Sequence, residues 1–264
     1  MVAVSINIIT KNRLNYLARA VESVRNQNFG DFEIVVIDNA GTDAAPSYLH
    51  SLGDKRIRCF SYPIESYGLS RARNFGLEKA QGKYVAVLDD DDVFANTQKI
   101  SQQFSFLESH PEYSLVGTNI LVADPNGRVV GRKRYPLTDK EIRNVLLEQN
   151  QFCHSSVMFK CKDALDVGGY QQVKGLWNIN EYLLWLQLSL KGKVANLGME
   201  GTCYCVWPKR NSQFHNFKLY CKDYEMAWGF SSKYPNFYKA ILRYWVTYPI
   251  KYITGRRWWQ NVPR

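Results

Sequence analysis

The first half of the chain alternates between apolar runs typical of buried strands and amphipathic segments typical of helices. Residues 2–9 are apolar and rich in β-branched side chains, which predicts a strand. The apolar positions of the next segment recur at helical spacing and are Leu14, Leu17, Val21 and Val24. Residues 33–37 then form a second apolar run that ends in the polar cluster 38–43, so we expect a buried strand followed by a loop.

The same alternation continues to about residue 119. It predicts strands at 56–61, 84–88 and 115–119, and helices at 70–80 and from about 97 to 110. Alternating strands and helices are typical of a parallel sheet covered by helices. In such sheets the ligand binds beyond the carboxyl ends of the strands, so the loop 38–43 and the residues that follow strand 84–88 are candidate site segments.

The second half of the chain has a mixed pattern. We expect a turn at 124–127, a helix at 138–148, a strand at 156–159 and a strongly apolar helix at 180–190. There is neither an internal repeat nor a low-complexity linker. The fold class predicted is therefore α/β, with a Rossmann-like, mostly parallel central sheet flanked by helices and a smaller mixed region.

The amino-acid composition limits the classes of protein to which this chain can belong. The chain has 264 residues, of which 45% are hydrophobic, enough for one large core. Six cysteines lack paired zinc-site spacing, and the N-terminus is typical of a first strand instead of a signal peptide, so we expect free thiols in a reducing compartment. No apolar run reaches the roughly 18 residues of a spanning helix, so no transmembrane segment is predicted.

The net charge of +10 indicates a polyanionic partner: nucleic acid, an anionic membrane surface or a phosphate-bearing substrate. Part of it lies in a distinct tail, which from Lys239 onward carries six basic residues and no acidic one among several Trp and Tyr. This mixture favours an interfacial segment on an anionic membrane. Nucleic-acid binding and simple packing on the main domain are the alternatives.

Four consecutive aspartates, Asp89 to Asp92, follow the strand at 84–88. Adjacent carboxylates repel one another, and a hard divalent cation such as Mg²⁺ or Mn²⁺ would offset the repulsion while leaving positions for substrate phosphates. An acidic turn at a helix N-terminus is an equally good explanation of the run alone.

Several motifs in order resemble those of the bacterial family 2 glycosyltransferases over residues 3–215. The segment VSINIITKNRLNYLARAVESVRNQNFGDFEIVVIDNAGTD resembles the opening of that family, and SYGLSRARNFGLEKAQGKYVAVLDDDD resembles its glycine-led helix and DxD strand. The resemblance implies a GT-A fold over residues 1–215, with a nucleotide-binding half at about 1–119 and an acceptor half at about 120–215. Residues 216–264 would form a basic, aromatic helical tail.

The resemblance also implies residue roles on the donor side. Thr10 and Asp38 would contact the nucleoside, with Asp38 accepting from the base, and Arg73 would lie near the base or the phosphates. The donor-binding set further includes Asp89, on the ribose side, and Asp90, while Asp91 would hold Mn²⁺ or Mg²⁺. For Asp38 the alternative is a turn former, and for Arg73 a surface residue that pairs with Glu78 or a neighbour.

The segment GLWNINEYLLWLQLSLKG resembles the acidic motif that carries the family's catalytic base. The usual acid pair is replaced by Asn180 and Glu181, so Glu181 becomes the candidate base that deprotonates the acceptor hydroxyl. Its alternative is an ordinary first-turn acid that interacts with the helix dipole. On the acceptor side, the resemblance implies that His154 lines the cleft, and Trp177 could stack on a sugar ring. A structural histidine and a core tryptophan are the alternatives.

The segment TCYCVWPKRNS departs from the family pattern, because Cys205 and Trp207 stand where an arginine and a metal-binding histidine are common. A metal ion would then rely on Asp91, the donor diphosphate and water.

The function implied is inverting, metal-assisted transfer of a sugar from a nucleotide donor, UDP-linked, to a hydroxyl of a surface glycan of lipopolysaccharide, O-antigen or capsule type. The acceptor would be a glycan or lipid-linked glycan at the cytoplasmic face of a bacterial membrane, and no nucleic-acid partner is expected. One alternative is a degenerate GT-A domain that binds nucleotide sugar or glycan without turnover. A nucleotidyltransferase is a weaker one, because the KNRLNYL segment is not a glycine-rich triphosphate loop.

Overall fold

A computed structural model describes residues 2–62, 68–171, 179–207 and 224–254. Trp177, one of the predicted acceptor residues, lies outside these ranges. The strands are β1 (Val4–Thr10), β2 (Phe32–Asp38), β3 (Ile57–Ser61), β4 (Tyr84–Asp89), β5 (Val93–Phe94), β6 (Tyr113–Ala123), β7 (Val129–Lys133), β8 (Met158–Lys160) and β9 (Lys193–Cys205). The helices are α1 (Leu14–Arg25), α2 (Ala45–Ser51), α3 (Gly68–Lys79), α4 (Lys99–Ser109), α5 (Asp139–Val145), α6 (Cys161–Asp166), α7 (Ile179–Lys191) and α8 (Phe237–Thr254).

All of the strands in the described ranges belong to one sheet, in the order β3-β2-β1-β4-β8-β6-β9-β5, with β7 paired to β6. Strands β3, β2, β1 and β4 are parallel, as are β6 and β9. The short strand β8 runs antiparallel to both β4 and β6 and so joins the two parallel groups. The predicted α/β class with a mostly parallel sheet is confirmed, and the sheet continues through both of the predicted halves.

The predicted strands and helices are present, most of them shifted by a few residues at their ends. The exception is the strand expected at 156–159, of which only the second half pairs in β8, because a 3₁₀ turn occupies His154–Ser156. Helix α5 begins where a capping box forms: the Thr138 hydroxyl accepts from the Glu141 amide, and the Glu141 carboxylate accepts from the Thr138 amide. Four short elements, α2, β5, β7 and α6, were not predicted, since each is too brief to show a period. No bounds were predicted for the long strand β9 either.

The core lies on both faces of the sheet. On one face the apolar stripe of α1, including Leu17 and Val21, packs on β1 and β2, as its spacing predicts. On the other face, α7 buries Leu184 and Trp185 almost completely. Full burial of one such side chain stabilises the fold by about 1.5–3 kcal/mol, so this helix is firmly anchored. Its first turn carries Glu181.

A buried polar pair supports the 3₁₀ turn that carries His154. Gln103 Nε2 donates to the carbonyl oxygens of Val116 at 2.9 Å and Ser156 at 2.8 Å. Lys99 Nζ donates to Gln103 Oε1 at 2.7 Å, and burial lowers the pKa of Lys99 to about 7. These contacts fix the backbone directly beside the candidate site.

Helix α8 packs on the main domain through one side. Ala240 is fully buried, Arg243 forms an ion pair with Glu148 at 2.8 Å, and the Tyr244 hydroxyl donates to the carbonyl oxygen of Leu147 at 3.1 Å. This side of α8 therefore packs on the main domain, which is one of the alternatives that the sequence left open for the tail. Among the described residues, we find no helix whose length and hydropathy would allow it to cross a membrane.

Five of the six cysteines lie in the described ranges, and all five are free thiols, as expected: Cys59, Cys153, Cys161, Cys203 and Cys205.

Candidate active site

The carboxyl ends of three neighbouring strands bring together polar residues that are far apart in sequence. Strand β1 lies between β2 and β4, with Thr10 in register with Asp38 and Ile9 in register with Asp89. The loops after β1 and β2 are joined by Asn12, whose Oδ1 accepts from the amides of Thr42 at 2.6 Å and Asp43 at 3.2 Å. Asn12 has a φ of 54°, a left-handed conformation that asparagine tolerates better than most residues.

Thr10 and Asp38 are both buried at this edge, but they have different partners. The Thr10 hydroxyl donates to Asp90 Oδ2 at 2.9 Å, so Thr10 supports the aspartate run. Asp38 Oδ1 accepts from the Gly41 amide at 2.9 Å, the contact expected of a turn-forming aspartate. The turn-forming role is thus present, and contact between Asp38 and a base stays a prediction.

Asp90 and Asp91 share one arginine. Arg13 Nη1 lies 2.7 Å from Asp90 Oδ1, and Arg13 Nη2 lies 3.1 Å from Asp91 Oδ2. The indole Nε1 of Trp207 donates to the same Asp91 Oδ2 at 2.9 Å. Burial raises the pKa of Asp90 to about 6; Arg13 opposes this shift and Asp91 adds to it. Hydrogen-bond donors of the protein itself therefore contact both of these aspartates and help to offset their negative charge.

Asp92 points into the protein. Its carboxylate accepts from the Ser155 hydroxyl and, at 2.7 Å, from the Cys205 amide. Burial raises the pKa of Asp92 well above its ordinary value, and the charges of Asp89 and Asp91 raise it further. Asp92 consequently ties the turn after β4 to β9 and to the 3₁₀ turn.

A second group of charges surrounds Arg73. This guanidinium is buried, with Nη1 at 3.2 Å from Glu181 Oε2 and Nη2 at 3.3 Å from Asp89 Oδ1. His154 Nδ1 lies 3.1 Å from the same Asp89 oxygen, and its Nε2 lies 3.1 Å from the Tyr170 hydroxyl. Arg73 thus holds the candidate base and the first aspartate of the run in one network.

The network favours the charged form of the Asp89 carboxylate. Burial by itself would raise the pKa of Asp89, but the charges and hydrogen bonds of His154 and Arg73 outweigh it and hold the pKa well below its ordinary value. The Asp89 side chain is 33% exposed and that of Glu181 is 19% exposed, whereas Arg73 is 5% exposed. The two carboxylates are therefore the members of this network that a ligand can reach.

The structure brings the predicted residues together in two adjoining groups. Thr10, Asp90 and Asp91 form one, and Arg73, Asp89, His154 and Glu181 form the other. The alternative for Arg73, a surface residue paired with Glu78, is wrong, because Arg73 is buried and pairs with Asp89 and Glu181. Within the described ranges, no three His, Cys, Asp or Glu side chains converge as a set of metal ligands.

Sequence reasoning missed three residues of the site. Arg13 follows Asn12 in the family-like opening segment, which the resemblance places around the nucleotide base, but Arg13 itself was given no role. Trp207 was noted only as a departure from the family pattern. Tyr170 was unassigned; the Arg73 guanidinium lies 5.4 Å from its ring centroid, and Asn74 bonds its backbone amide and carbonyl. An aromatic after a glycine pair gives no signal by itself that it will face an arginine from α3.

The fold places this chain among GT-A glycosyltransferase structures. It superposes on S. aureus TarS 1–349 in complex with UDP-GlcNAc with a TM-score of 0.67 at 18% identity, covering 85% of this chain and 65% of the TarS fragment. It also superposes on the mannosyltransferase PcManGT from Pyrobaculum calidifontis, in complex with GDP-Man and Mn²⁺, with a TM-score of 0.60 at 13% identity, covering 96% of this chain and 88% of PcManGT. The chain spans about two thirds of the TarS fragment.

The sequence identifies the family. A family model described as Glycosyl transferase family 2 matches residues 5–168, more than half of the chain, which therefore belongs to glycosyl transferase family 2. The amylovoran biosynthesis glycosyltransferase AmsE of Erwinia amylovora is 30% identical over 199 residues, 75% of this chain and 73% of AmsE. The O-antigen biosynthesis glycosyltransferase WbnJ of Escherichia coli is 31% identical over 204 residues, 76% of this chain and 75% of WbnJ. The predicted family, fold and enzyme class are confirmed.

Proposed function

We propose that this enzyme transfers a sugar from a nucleotide-sugar donor to a hydroxyl of a bacterial surface polysaccharide. The observation that carries the proposal is the network at the carboxyl edge of the sheet, in which Arg73 joins Glu181 to Asp89. Strand ends of an open α/β sheet are where such folds bind nucleotides. The names of AmsE and WbnJ, which concern amylovoran and O-antigen synthesis, support a polysaccharide acceptor.

Glu181 is the proposed catalytic base, and the transfer is proposed to invert the anomeric carbon. Glu181 accepts the proton of the acceptor hydroxyl while that oxygen attacks the anomeric carbon and the nucleoside diphosphate departs. The Arg73 guanidinium, 3.2 Å from Glu181 Oε2, fixes the direction of this carboxylate. His154 touches Asp89 and Tyr170 and is 6% exposed, so we assign it to positioning Asp89 at the sugar side of the cleft.

The donor is proposed to be UDP-linked and to lie across the ends of β1, β2 and β4. Thr10 and Asp38 are placed in register at this edge, where Asp38 can accept from a base N–H. Asp89 and Asp90 would face the ribose and the diphosphate. The structure of TarS with UDP-GlcNAc, a protein of the same fold, supports this class of donor.

A divalent ion, Mn²⁺ or Mg²⁺, is proposed to bind through Asp91 and to offset the charge of the departing diphosphate. Carboxylate oxygens suit such hard ions. At Asp91, however, Oδ2 accepts from both Arg13 and Trp207, so an ion bound at that oxygen would compete with these two donors. The Mn²⁺ complex of PcManGT supports metal use within the fold.

Calorimetric titration with UDP, GDP and dTDP, each with Mn²⁺ and with EDTA, tests the donor assignment. We expect UDP to bind in the presence of Mn²⁺ and Asp91→Ala to weaken this binding at least about tenfold, or about 1.4 kcal/mol. Asp31→Ala, which changes an exposed aspartate before β2, is the control. Tight GDP or dTDP binding would overturn the UDP assignment. Donor binding without transfer to any acceptor would favour the degenerate GT-A alternative.

We also propose that helix α8 lies on an anionic membrane at its cytoplasmic face, where a lipid-linked acceptor would be found. The side of α8 that faces away from the domain exposes Tyr238 at 85%, Leu242 at 65%, Trp245 at 64% and Val246 at 52%. These positions recur at helical spacing and form one apolar stripe beside basic residues of the tail. Apolar and aromatic groups with Lys and Arg suit the headgroup region of anionic lipid. Free thiols suit the reducing cytoplasm.

Sedimentation with lipid vesicles tests this placement. We expect the double variant Leu242→Ser with Trp245→Ser to bind phosphatidylglycerol vesicles about tenfold or more weakly than the wild type, because two exposed apolar anchors are lost. Binding should also fall with added salt. Leu165→Ser, at an exposed leucine of α6, is the matched control. Equal binding by the double variant and the wild type would exclude α8 as the contact surface.

A further inference from the structure

The aspartate run is already paired with a cationic side chain of the protein, that of Arg13. The side chains of Asp90 and Asp91 are only 6% and 8% exposed, and one guanidinium, that of Arg13, lies within 3.1 Å of both. Buried carboxylates need a compensating charge, because removing an ion from water is costly unless it is paired. Arg13 supplies that charge from the protein itself. A planar guanidinium can bridge two carboxylates in a way that a lysine cannot.

Two aromatic residues hold the guanidinium in place. Its central carbon lies 5.6 Å from the ring centroid of Tyr16 and 5.4 Å from that of Trp207. The two rings contact each other edge to face, with centroids 5.2 Å apart. Trp207 also donates to the same Asp91 oxygen as Arg13. The residue that stands in place of the family histidine is thus a hydrogen-bond donor to the carboxylate that a metal would use.

The backbone of Arg13 is fixed as well. Its carbonyl oxygen accepts from the amides of Tyr16 at 2.9 Å and Leu17 at 3.0 Å, at the start of α1. Asn12, the preceding residue, ties this turn to the loop after β2. The backbone position of Arg13 therefore depends on the same strand ends that form the proposed donor site, and release of the aspartates would require a change in the Arg13 side chain alone.

We infer that Arg13 is a built-in counter-ion that competes with a divalent cation for Asp91. This inference rests on the proposed metal-assisted function and adds a residue to it. An N–H donor and a metal ion both use carboxylate lone pairs, and two cations on one carboxylate repel each other. In the donor-free enzyme Arg13 holds Asp91. A bound nucleotide diphosphate would supply oxygen ligands for the metal and a bidentate partner for the Arg13 guanidinium.

Metal binding without nucleotide tests the competition directly. Titration of Mn²⁺ into the donor-free protein, followed by electron paramagnetic resonance, should show weak binding in the wild type and a dissociation constant at least about tenfold lower in Arg13→Ala. The control is Arg19→Ala, which removes an arginine of α1, the helix that begins directly after Arg13; the Arg19 guanidinium donates to the carbonyl oxygen of Pro125. Both variants lose one positive charge, so the comparison separates the effect of losing the Arg13–Asp91 contact from the effect of a lower net charge. Mn²⁺ binding that is unchanged or weaker in Arg13→Ala overturns the inference.

A second variant keeps the test decisive if Arg13→Ala does not fold. Trp207→Phe preserves an aromatic ring beside Arg13 but removes the N–H that donates to Asp91. We expect it to lower the Mn²⁺ dissociation constant by a smaller factor, about two- to fivefold, and an unchanged value would count against the inference. Neither titration uses a nucleotide or an acceptor, so failure of the proposed transferase activity would leave these results interpretable. Conversely, active transfer with unaltered Mn²⁺ binding in both variants would overturn only the competition.

Discussion

Glu181→Gln is expected to lower kcat for sugar transfer by about 10²–10⁴-fold, the usual contribution of a general base. The amide keeps the size and the hydrogen-bonding reach of the side chain but cannot accept a proton from the acceptor hydroxyl. Glu181 lies in the first turn of α7, a helix whose apolar residues are anchored in the core, so the fold should be unchanged. The measurement is transfer from the donor that calorimetry identifies, with nucleotide affinity determined in parallel.

Two further variants sharpen this test. Glu78→Gln, which changes an exposed glutamate of α3, should retain wild-type turnover. Glu181→Asp retains the carboxylate on a side chain one methylene shorter and should recover part of the lost activity. Full activity of Glu181→Gln would show that Glu181 is not the catalytic base. Its role would then be that of an ordinary acid in the first turn of a helix, where it interacts with the helix dipole.

Arg73→Met is expected to reduce the free energy of unfolding by about 3 kcal/mol or more, as is typical when one partner of a buried ion pair is removed. The variant leaves Asp89 and Glu181 without their shared cation and removes a neighbour of His154. Urea unfolding at neutral pH measures the effect. Arg71→Met, at an exposed position two residues away on α3, is the matched control and should unfold at nearly the wild-type urea concentration.

The pH dependence of this difference follows from Asp89. Its pKa is lower in the folded protein than in the unfolded chain, so folding is favoured by the ionised group. That stabilisation is fully present above the unfolded value, about pH 4, and is lost as the pH falls below it. The gap in stability between wild type and Arg73→Met should therefore narrow in acid. A loss below 1 kcal/mol at neutral pH would show that Arg73 is not needed to offset these charges.

The two variants probe different parts of one network. Glu181→Gln changes the reacting group and leaves Arg73 with an oxygen to donate to, so its effect should appear in turnover. Arg73→Met changes the residue that positions two carboxylates, so its effect should appear first in stability and then in donor binding and turnover. Opposite patterns would mean that the roles of base and positioning residue are assigned wrongly.

The sequence by itself determined the longer helices, most of the longer strands and the edge of the sheet at which the candidate site lies. Long periodic segments such as α1 and α7 were predicted because their burial pattern repeats locally along the chain. The polar residues after β2 and β4 marked strand ends, and parallel strands bring such ends to one edge. The family resemblance supplied Arg73, Asp89 and Glu181 as members of the same cleft.

Only the tertiary structure decided which charges are partners. Arg73 and Glu181 are separated by 108 positions, and Arg13 and Asp91 by 78, so no local pattern relates them. Their contacts depend on strand order, on the antiparallel insertion of β8 and on the direction of each side chain. The same is true of Trp207, whose sequence position indicated only a missing histidine. Its indole N–H reaches Asp91 because β5, which begins directly after the aspartates, pairs antiparallel with the end of β9, and this pairing is a property of the whole packed sheet.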